Sequence, residues 1–228
     1  MKRDFILGVR DALPVVLGYL PLGLAFGVLA RNYGLSVGQV AAMSSFIYSG
    51  SGQFVAIGML KAGQAWLEII TAILLVNLRY LLLSASIAPF FRKISSSFLL
   101  AAAHGITDET YAVALGRFRN YKAQPAYVAG MFTTAYLAWV CGSVAGAAAG
   151  NLVGDTARFG LDFALTAMFI SLLVFQLRDR PTLMVAVISG ILSLAIRGVF
   201  QSNWNAVIST VVAASLGVFC IRWKARSS

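Results

Sequence analysis

Three short segments carry side chains able to do chemistry in an otherwise apolar chain: SGSGQF at residues 49 to 54, NLRY at 77 to 80 and TDE at 107 to 109. Arg79 is a permanent cation suited to holding a carboxylate. Asp108 and Glu109 can each hold a cation or a proton, and the amides of Gln53 and Asn77 both donate and accept hydrogen bonds. Neighbouring residues do not share a helix face, so the two acids can serve different roles. One can pair with Arg79 while the other takes an ammonium group or exchanges a proton. His104 lies four residues before Asp108, on the same face of a continuous helix, which makes it a third proton-coupling candidate beside Asp108 and Glu109. As the single histidine it competes with a simpler role in packing. Tyr80 and Asp162 are second-tier candidates, because packing and helix capping explain them adequately.

Other chemistries lack their residues. There is no Ser/His/Asp set and no zinc-ligand spacing, so the chain is not expected to be an enzyme or to hold a metal. No nucleotide-binding motif supplies ATP chemistry, and no cofactor is implied. Cys141 and Cys220 sit in apolar runs, where thiols behave as small hydrophobes.

These polar groups need a solvent, and composition identifies it. Hydrophobic residues make up 59% of the 228 and charged residues 11%, with a mean hydropathy of +0.82. A soluble domain carries about a quarter charged residues, so this chain cannot cover a water-facing surface and is read as an integral membrane protein. Its net charge of +10 does not point to nucleic acid. The basic residues fall in ones, twos and threes at the ends of apolar runs, which is the pattern of topology signals.

A hydrocarbon core roughly 30 Å thick needs about twenty apolar residues to cross. Candidate stretches occupy residues 12 to 30, 35 to 60, 64 to 90, 95 to 116, 125 to 150, 159 to 177, 182 to 200 and 204 to 222. The first is read as a retained helix. Short connections make the whole, 1 to 228, a single transmembrane domain of all-α class: a polytopic helical bundle with interrupted or re-entrant helices near the midplane. The basic clusters at Lys2, Arg3 and Arg10, at Arg117, Arg119 and Lys122, at Arg178 and Arg180 and at Arg222, Lys224 and Arg226 place both termini in the cytoplasm. Whether the second and fourth stretches cross or dip in and return decides between eight crossings and six. The two alternatives differ only in where Lys61 and the pair Arg92, Lys93 lie.

The interruption falls in the second stretch. Residues 37 to 48 make about 18 Å of helix, which places Ser49, Gly50, Ser51 and Gly52 near mid-membrane. A break there survives only when it is buried in protein or lines a polar cavity. Close packing of small residues explains GSVAGAAAG at 142 to 150. For SGSGQF we favour a break that presents the amides of Gly52, Gln53 and Phe54 as the positive end of a half helix, able to bind a carboxylate. Arg79 lies at the centre of the third stretch, where a charge costs about 2.5 to 3.5 kcal/mol on insertion scales, and therefore needs a partner. Thr107, Asp108 and Glu109 interrupt the fourth and provide candidates.

Taken together, SGSGQF, NLRYLLLSASIAPFF and GITDETYAVA resemble the AzlC family of branched-chain amino acid exporters, with PLGLAFGVLA and FGLDFA also fitting. The resemblance implies the large subunit of a two-component permease of the bacterial inner membrane. It also implies a small AzlD-type membrane subunit as partner, and leucine, isoleucine, valine and sometimes methionine as substrates. This chain departs from the family in having serines at 49 and 51 where many members have alanines, and Tyr80 in place of a common histidine. We expect export by alternating access driven by proton entry. Ser49, Gly50, Ser51, Gly52, Gln53, Phe54, Asn77, Arg79, Thr107, Asp108 and Glu109 are the expected substrate-binding set. A channel or carrier for another small polar solute or ion is the alternative, with the same midplane groups forming a constriction.

Overall fold

A computed structural model describes residues 1–92, 94–153, 160, 163–177, 180–199, 212 and 215. Asp162, Lys93, Arg178, Cys220, the stretch 204 to 222 apart from residues 212 and 215, and the cluster Arg222, Lys224 and Arg226 lie outside these. Among the described residues every regular element is helical, as composition requires. In hydrocarbon a helix satisfies its own backbone within one segment. The chain divides into two compact units, Met1–Thr166 and Ala167–Ser228.

The first unit rests on three helices long and apolar enough to span a membrane. These are α1 (Lys2–Asn32), the run Trp66–Phe91, in which α4 (Trp66–Ile87) ends in a 3-10 turn (Ala88–Phe91), and α7 (Pro125–Ala149). Between them lie four short helices: α2 (Val37–Phe46), α3 (Gly50–Lys61), α5 (Ser96–Ala103) and α6 (Asp108–Phe118). The first helix starts at Lys2, ahead of the apolar stretch that marks it in sequence, because Arg3, Asp4 and Arg10 extend it beyond the hydrocarbon. Further on, α8 (Ala164–Gln176) bridges the unit boundary and α9 (Arg180–Val199) belongs to the second unit.

Parallel α1 and α7 are the closest pair. A methyl group added at Gly27 would overlap the Ser143 carbonyl, and one at Gly146 the Leu24 carbonyl. Small residues let two membrane helices approach backbone to backbone, where packing and not hydrophobicity holds them. Near the start of α1, Asp11 accepts from Arg117 at 3.3 Å and from Tyr127 at 2.9 Å, tying α1 to the end of α6 and the start of α7.

Both interrupted stretches are hairpins. The Lys61 ammonium lies 4.3 Å from the Tyr33 ring centre, so α2 begins and α3 ends at one side of the bundle, where α1 ends and α4 begins. Phe98 and Leu99 of α5 and Phe118 of α6 meet Phe91, Tyr127 and Ala12 in one apolar cluster, so the second hairpin enters and leaves at the opposite side. At 1.5 Å per residue, helices of 8 to 12 residues reach about 12 to 18 Å, roughly half a hydrocarbon core. The two tips therefore meet halfway, beside the middles of α1, α4 and α7.

Candidate functional site

The first tip turns at Tyr48, a non-glycine residue with φ of 43°. Left-handed backbone costs an L-residue about 1 to 2 kcal/mol, and such strain clusters at functional sites. Ser49 then caps α3, its Oγ accepting from the Gly52 amide at 3.2 Å. The break is thus at Ile47–Ser49, earlier than the sequence reading placed it. Gly50 and Gly52 belong to the first turn of α3, because Ser49 is the better cap. The amides of Gly52, Gln53 and Phe54 do not form the open end as expected. Gly52 donates to the cap, and Gln53 to the Ser49 carbonyl at 2.8 Å. The first amides of α3, those of Gly50 and Ser51, have no acceptor within the helix.

The second tip turns at His104–Thr107. Thr107 caps α6 in a reciprocal box with Thr110: the Thr107 amide donates to Thr110 Oγ1 at 2.9 Å and the Thr110 amide to Thr107 Oγ1 at 3.3 Å. This break overturns the His104 to Asp108 relation, since the four-residue spacing shares a face only on a continuous helix. His104 instead caps α5, and its Nε2 lies 3.0 Å from the Ser45 carbonyl. Tyr136 donates to the same carbonyl at 3.3 Å, so both side chains serve the C-terminal turn of α2.

Because α3 and α6 run outward from the meeting point of the tips in opposite directions, both present their positive N-termini to it. The first turn of α6 contains Asp108 and Glu109, while that of α3 contains no acid. Arg79 of α4 bridges the two ends: its Nη2 donates to Ser51 Oγ at 2.6 Å and lies 3.1 Å from Asp108 Oδ2. Beside this bridge, Ser49 Oγ donates to Asn77 Oδ1 at 2.6 Å and accepts from the Tyr80 hydroxyl at 3.3 Å. The Arg79 and Asp108 side chains are 25% and 21% exposed, so the pair is not sealed inside the chain.

Glu109 points elsewhere. Tyr19, midway along α1, donates to Glu109 Oε2 at 2.7 Å, and having one proton it accepts from Thr107 Oγ1, 2.6 Å away. No cation pairs with Glu109 among the described residues. Beside it, Tyr48 is 3% exposed and stands in an aromatic cluster with Tyr19, His104 and Tyr136, ring centres 5.1 to 6.5 Å away. Its hydroxyl has no hydrogen-bond partner among the described residues, and neither has Arg79 Nε.

The structure thus brings Ser49, Gly50, Ser51, Gly52, Asn77, Arg79, Tyr80, Thr107, Asp108 and Glu109 to one place. Gln53 and Phe54 face away from it. The Gln53 amide is fully buried, donating to Ser44 at 2.9 Å and accepting from Trp139 Nε1 at 2.8 Å, so it fastens α2 to α3 and α7. Phe54 packs on Phe26 at 5.5 Å, and Ile57 is likewise core. Asp162 lies outside the described residues. Sequence reasoning missed Tyr19 and Tyr48. Tyr48 had a signal, as the bulky residue directly before the glycine run, whereas Tyr19 is a lone hydroxyl in a long helix and offered none.

A family model described as AzlC protein matches residues 14–153, which contain every residue that the two tips bring together. Among curated proteins, the chain is 30% identical over 226 residues to the inner membrane protein YgaZ of Escherichia coli, covering 96% of this chain and 88% of the relative. It is 33% identical over 193 residues to a membrane protein of Archaeoglobus fulgidus, covering 84% of each. The similarity to the branched-chain amino acid transport protein AzlC of Bacillus subtilis is 30% over 220 residues, 92% of this chain and 81% of the relative. No solved structure matches the chain.

Proposed function

The chain belongs to the AzlC family, and from that premise we propose that it carries branched-chain amino acids out of the cell by alternating access, coupled to proton entry. The observation that carries this reading is the meeting, halfway through the bundle, of two half-helix N-termini with one guanidinium and two carboxylates. An amino acid is a zwitterion, and the site is divided in the same way. The substrate carboxylate is received by Arg79 and the Gly50 and Ser51 amides at the acid-free end of α3. The ammonium is received by Glu109, the acid without a cation, with the Tyr48 hydroxyl as a further partner. Asn77, Ser49 and Tyr80 hold the end of α3 in place, and Asp108 holds Arg79. Ser49, Ser51 and Tyr80, where this chain departs from the pattern of the family it resembles, are joined in that network.

Protons enter at Asp108 or Glu109, since a carboxyl near a bilayer centre can exchange one when its partner leaves. His104 has no place in this route. The same reading takes the two hairpins as re-entrant, leaving six crossings. Arg10, Arg92, Arg117, Arg119 and Lys122 then share the cytoplasmic face with both termini, in the inner membrane of a bacterial cell. A small AzlD-type membrane protein is the proposed partner.

Counterflow in proteoliposomes tests this reading. Unlabelled leucine trapped inside should drive transient accumulation of external labelled leucine, competed by isoleucine and valine. Linear, non-saturating leucine flux without exchange, with or without the small subunit, would overturn the carrier reading in favour of a channel.

A further inference from the structure

Where the Trp66–Phe91 span ends and the Pro125–Ala149 span begins, residues 89, 90, 92, 94 and 118–125 border a recess of about 570 Å³. Arg92, Arg119 and Lys122 line it, and among the described residues no acid does. Among the described residues none of the three cations has an ion-pair partner. The acids of α1 near this side are already held, Asp11 by Arg117 and Tyr127 and Asp4 by the N-terminal amine at 3.0 Å. The rest of the lining includes Phe90, Ile94 and Phe118, an apolar wall continuous with the cluster beneath it, where Phe118 meets Phe90 and Phe91 at 6.1 and 5.6 Å. Because both spans terminate here, the recess sits at the depth where hydrocarbon gives way to headgroups.

Three unpaired cations over an apolar wall at that depth match the two halves of one molecule. We propose that the recess binds the phosphate of an anionic phospholipid, with the cations on the headgroup and the upper acyl chains against Phe90, Ile94 and Phe118. The size suits such a headgroup, since ligand sites commonly run from about 300 to 1,000 Å³, and basic pockets between membrane helices take anionic headgroups in this way. A bound lipid would hold the α6–α7 connection against the end of α4. It would thereby steady the outer end of the hairpin whose tip carries Asp108 and Glu109. The inference does not depend on which solute the protein moves.

Native mass spectrometry of the full chain tests it, with phosphatidylglycerol and phosphatidylcholine offered at equal concentrations. The wild type should retain phosphatidylglycerol roughly a hundredfold better, and the preference should fall roughly fivefold for each cation neutralised. Arg92→Gln, Arg119→Gln and Lys122→Gln together should bring it close to parity, while a control with Lys2→Gln and Arg3→Gln keeps it. Should the triple variant fail to fold, the single changes Arg119→Gln and Lys122→Gln, both at exposed positions, should each show the partial loss. No preference in the wild type, or an undiminished one in the variants, overturns the proposal. Inorganic phosphate separates the sources: millimolar phosphate that displaces phosphatidylglycerol, or that stabilises lipid-free protein in detergent to the same extent, would assign the recess to a soluble anion and overturn the lipid.

Discussion

Neutralising Arg79 and Asp108 singly and together separates a structural guanidinium from one that touches substrate. In Arg79→Gln the Asp108 carboxylate loses its cation and Ser51 loses a donor at 2.6 Å. Breaking a fully buried pair costs about 3 to 5 kcal/mol and an exposed one about 0 to 1. With side chains 25% and 21% exposed, a loss of about 2 kcal/mol is expected. Asp108→Asn leaves the guanidinium bonded to Ser51 and should cost less. The double variant removes both charges together and should regain about 1 kcal/mol of the summed losses, the coupling read by a double-mutant cycle of thermal melts in detergent. Transport should behave differently. A charge-assisted hydrogen bond to the substrate carboxylate is worth about 1.5 to 3 kcal/mol, so Arg79→Gln should lower leucine counterflow roughly 10- to 150-fold. The double variant should stay as inactive while its stability recovers. Counterflow that returns with stability would refute the claim that Arg79 receives substrate and leave it only the task of holding Asp108.

Gln53→Leu should destabilise by about 2 to 4 kcal/mol, because Ser44 and Trp139 each lose a buried partner. The protein that survives should keep its apparent KM for leucine, which thermal melts and counterflow titration will check. Tyr48→Phe should leave stability unchanged or raise it by up to about 1 kcal/mol, since its hydroxyl is buried without a partner; KM should rise severalfold. A destabilised Tyr48→Phe with unchanged KM would remove the hydroxyl from the ammonium site. Ser49→Ala should cost about 1 kcal/mol for the lost α3 cap and somewhat more for the Asn77 contact, read as a lower melting temperature.

Much of the fold was legible because hydropathy is written residue by residue. Seven of the eight apolar stretches correspond to described helices or hairpins, and the Ser-Gly run flagged a real break. The hairpins themselves were not legible. Direction depends on which ends touch, and the contacts that settle it, Lys61 on Tyr33 and the apolar cluster that holds Phe98 and Phe118, join residues about 20 to 30 positions apart that no local pattern pairs. The exact turn was misjudged for a local reason: two glycines suggest unwinding by propensity, yet capping by Ser49 begins the helix at once. The opposite error, assuming a continuous helix through Gly105, created the relay from His104. Within the site, Arg79 and the acids were found because charge at that depth demands a partner, while Gln53 was assigned to substrate because sequence does not show that Ser44 and Trp139 already occupy both ends of its amide.

The electrostatics of the tips suggest why an amino acid, and not a simple ion, suits this centre. Two half-helix ends contribute about half a positive charge each and Arg79 a full one, against two carboxylates, so the occupied region is near neutral while Arg79 and Asp108 stay together. Arg79 of α4 is also one of the few links between the hairpins, holding Ser51 of the first and Asp108 of the second, which otherwise meet through His104 at the Ser45 carbonyl and the Tyr48 ring. Each hairpin is tied more firmly to the spans: the first to α4 through Ser49 and Asn77 and to α7 through Gln53 and Trp139, the second to α1 through Tyr19 at its tip and Asp11 at its base. Separating the tips without a ligand would leave a guanidinium and a carboxylate unpaired in a medium that penalises both. A zwitterion offers its carboxylate to Arg79 in place of Asp108 and its ammonium to Glu109 without changing net charge, and a proton on Asp108 removes the charge left unpaired. Substrate and proton are therefore the two species able to make that separation cheap, which is the physical form that coupling between them would take.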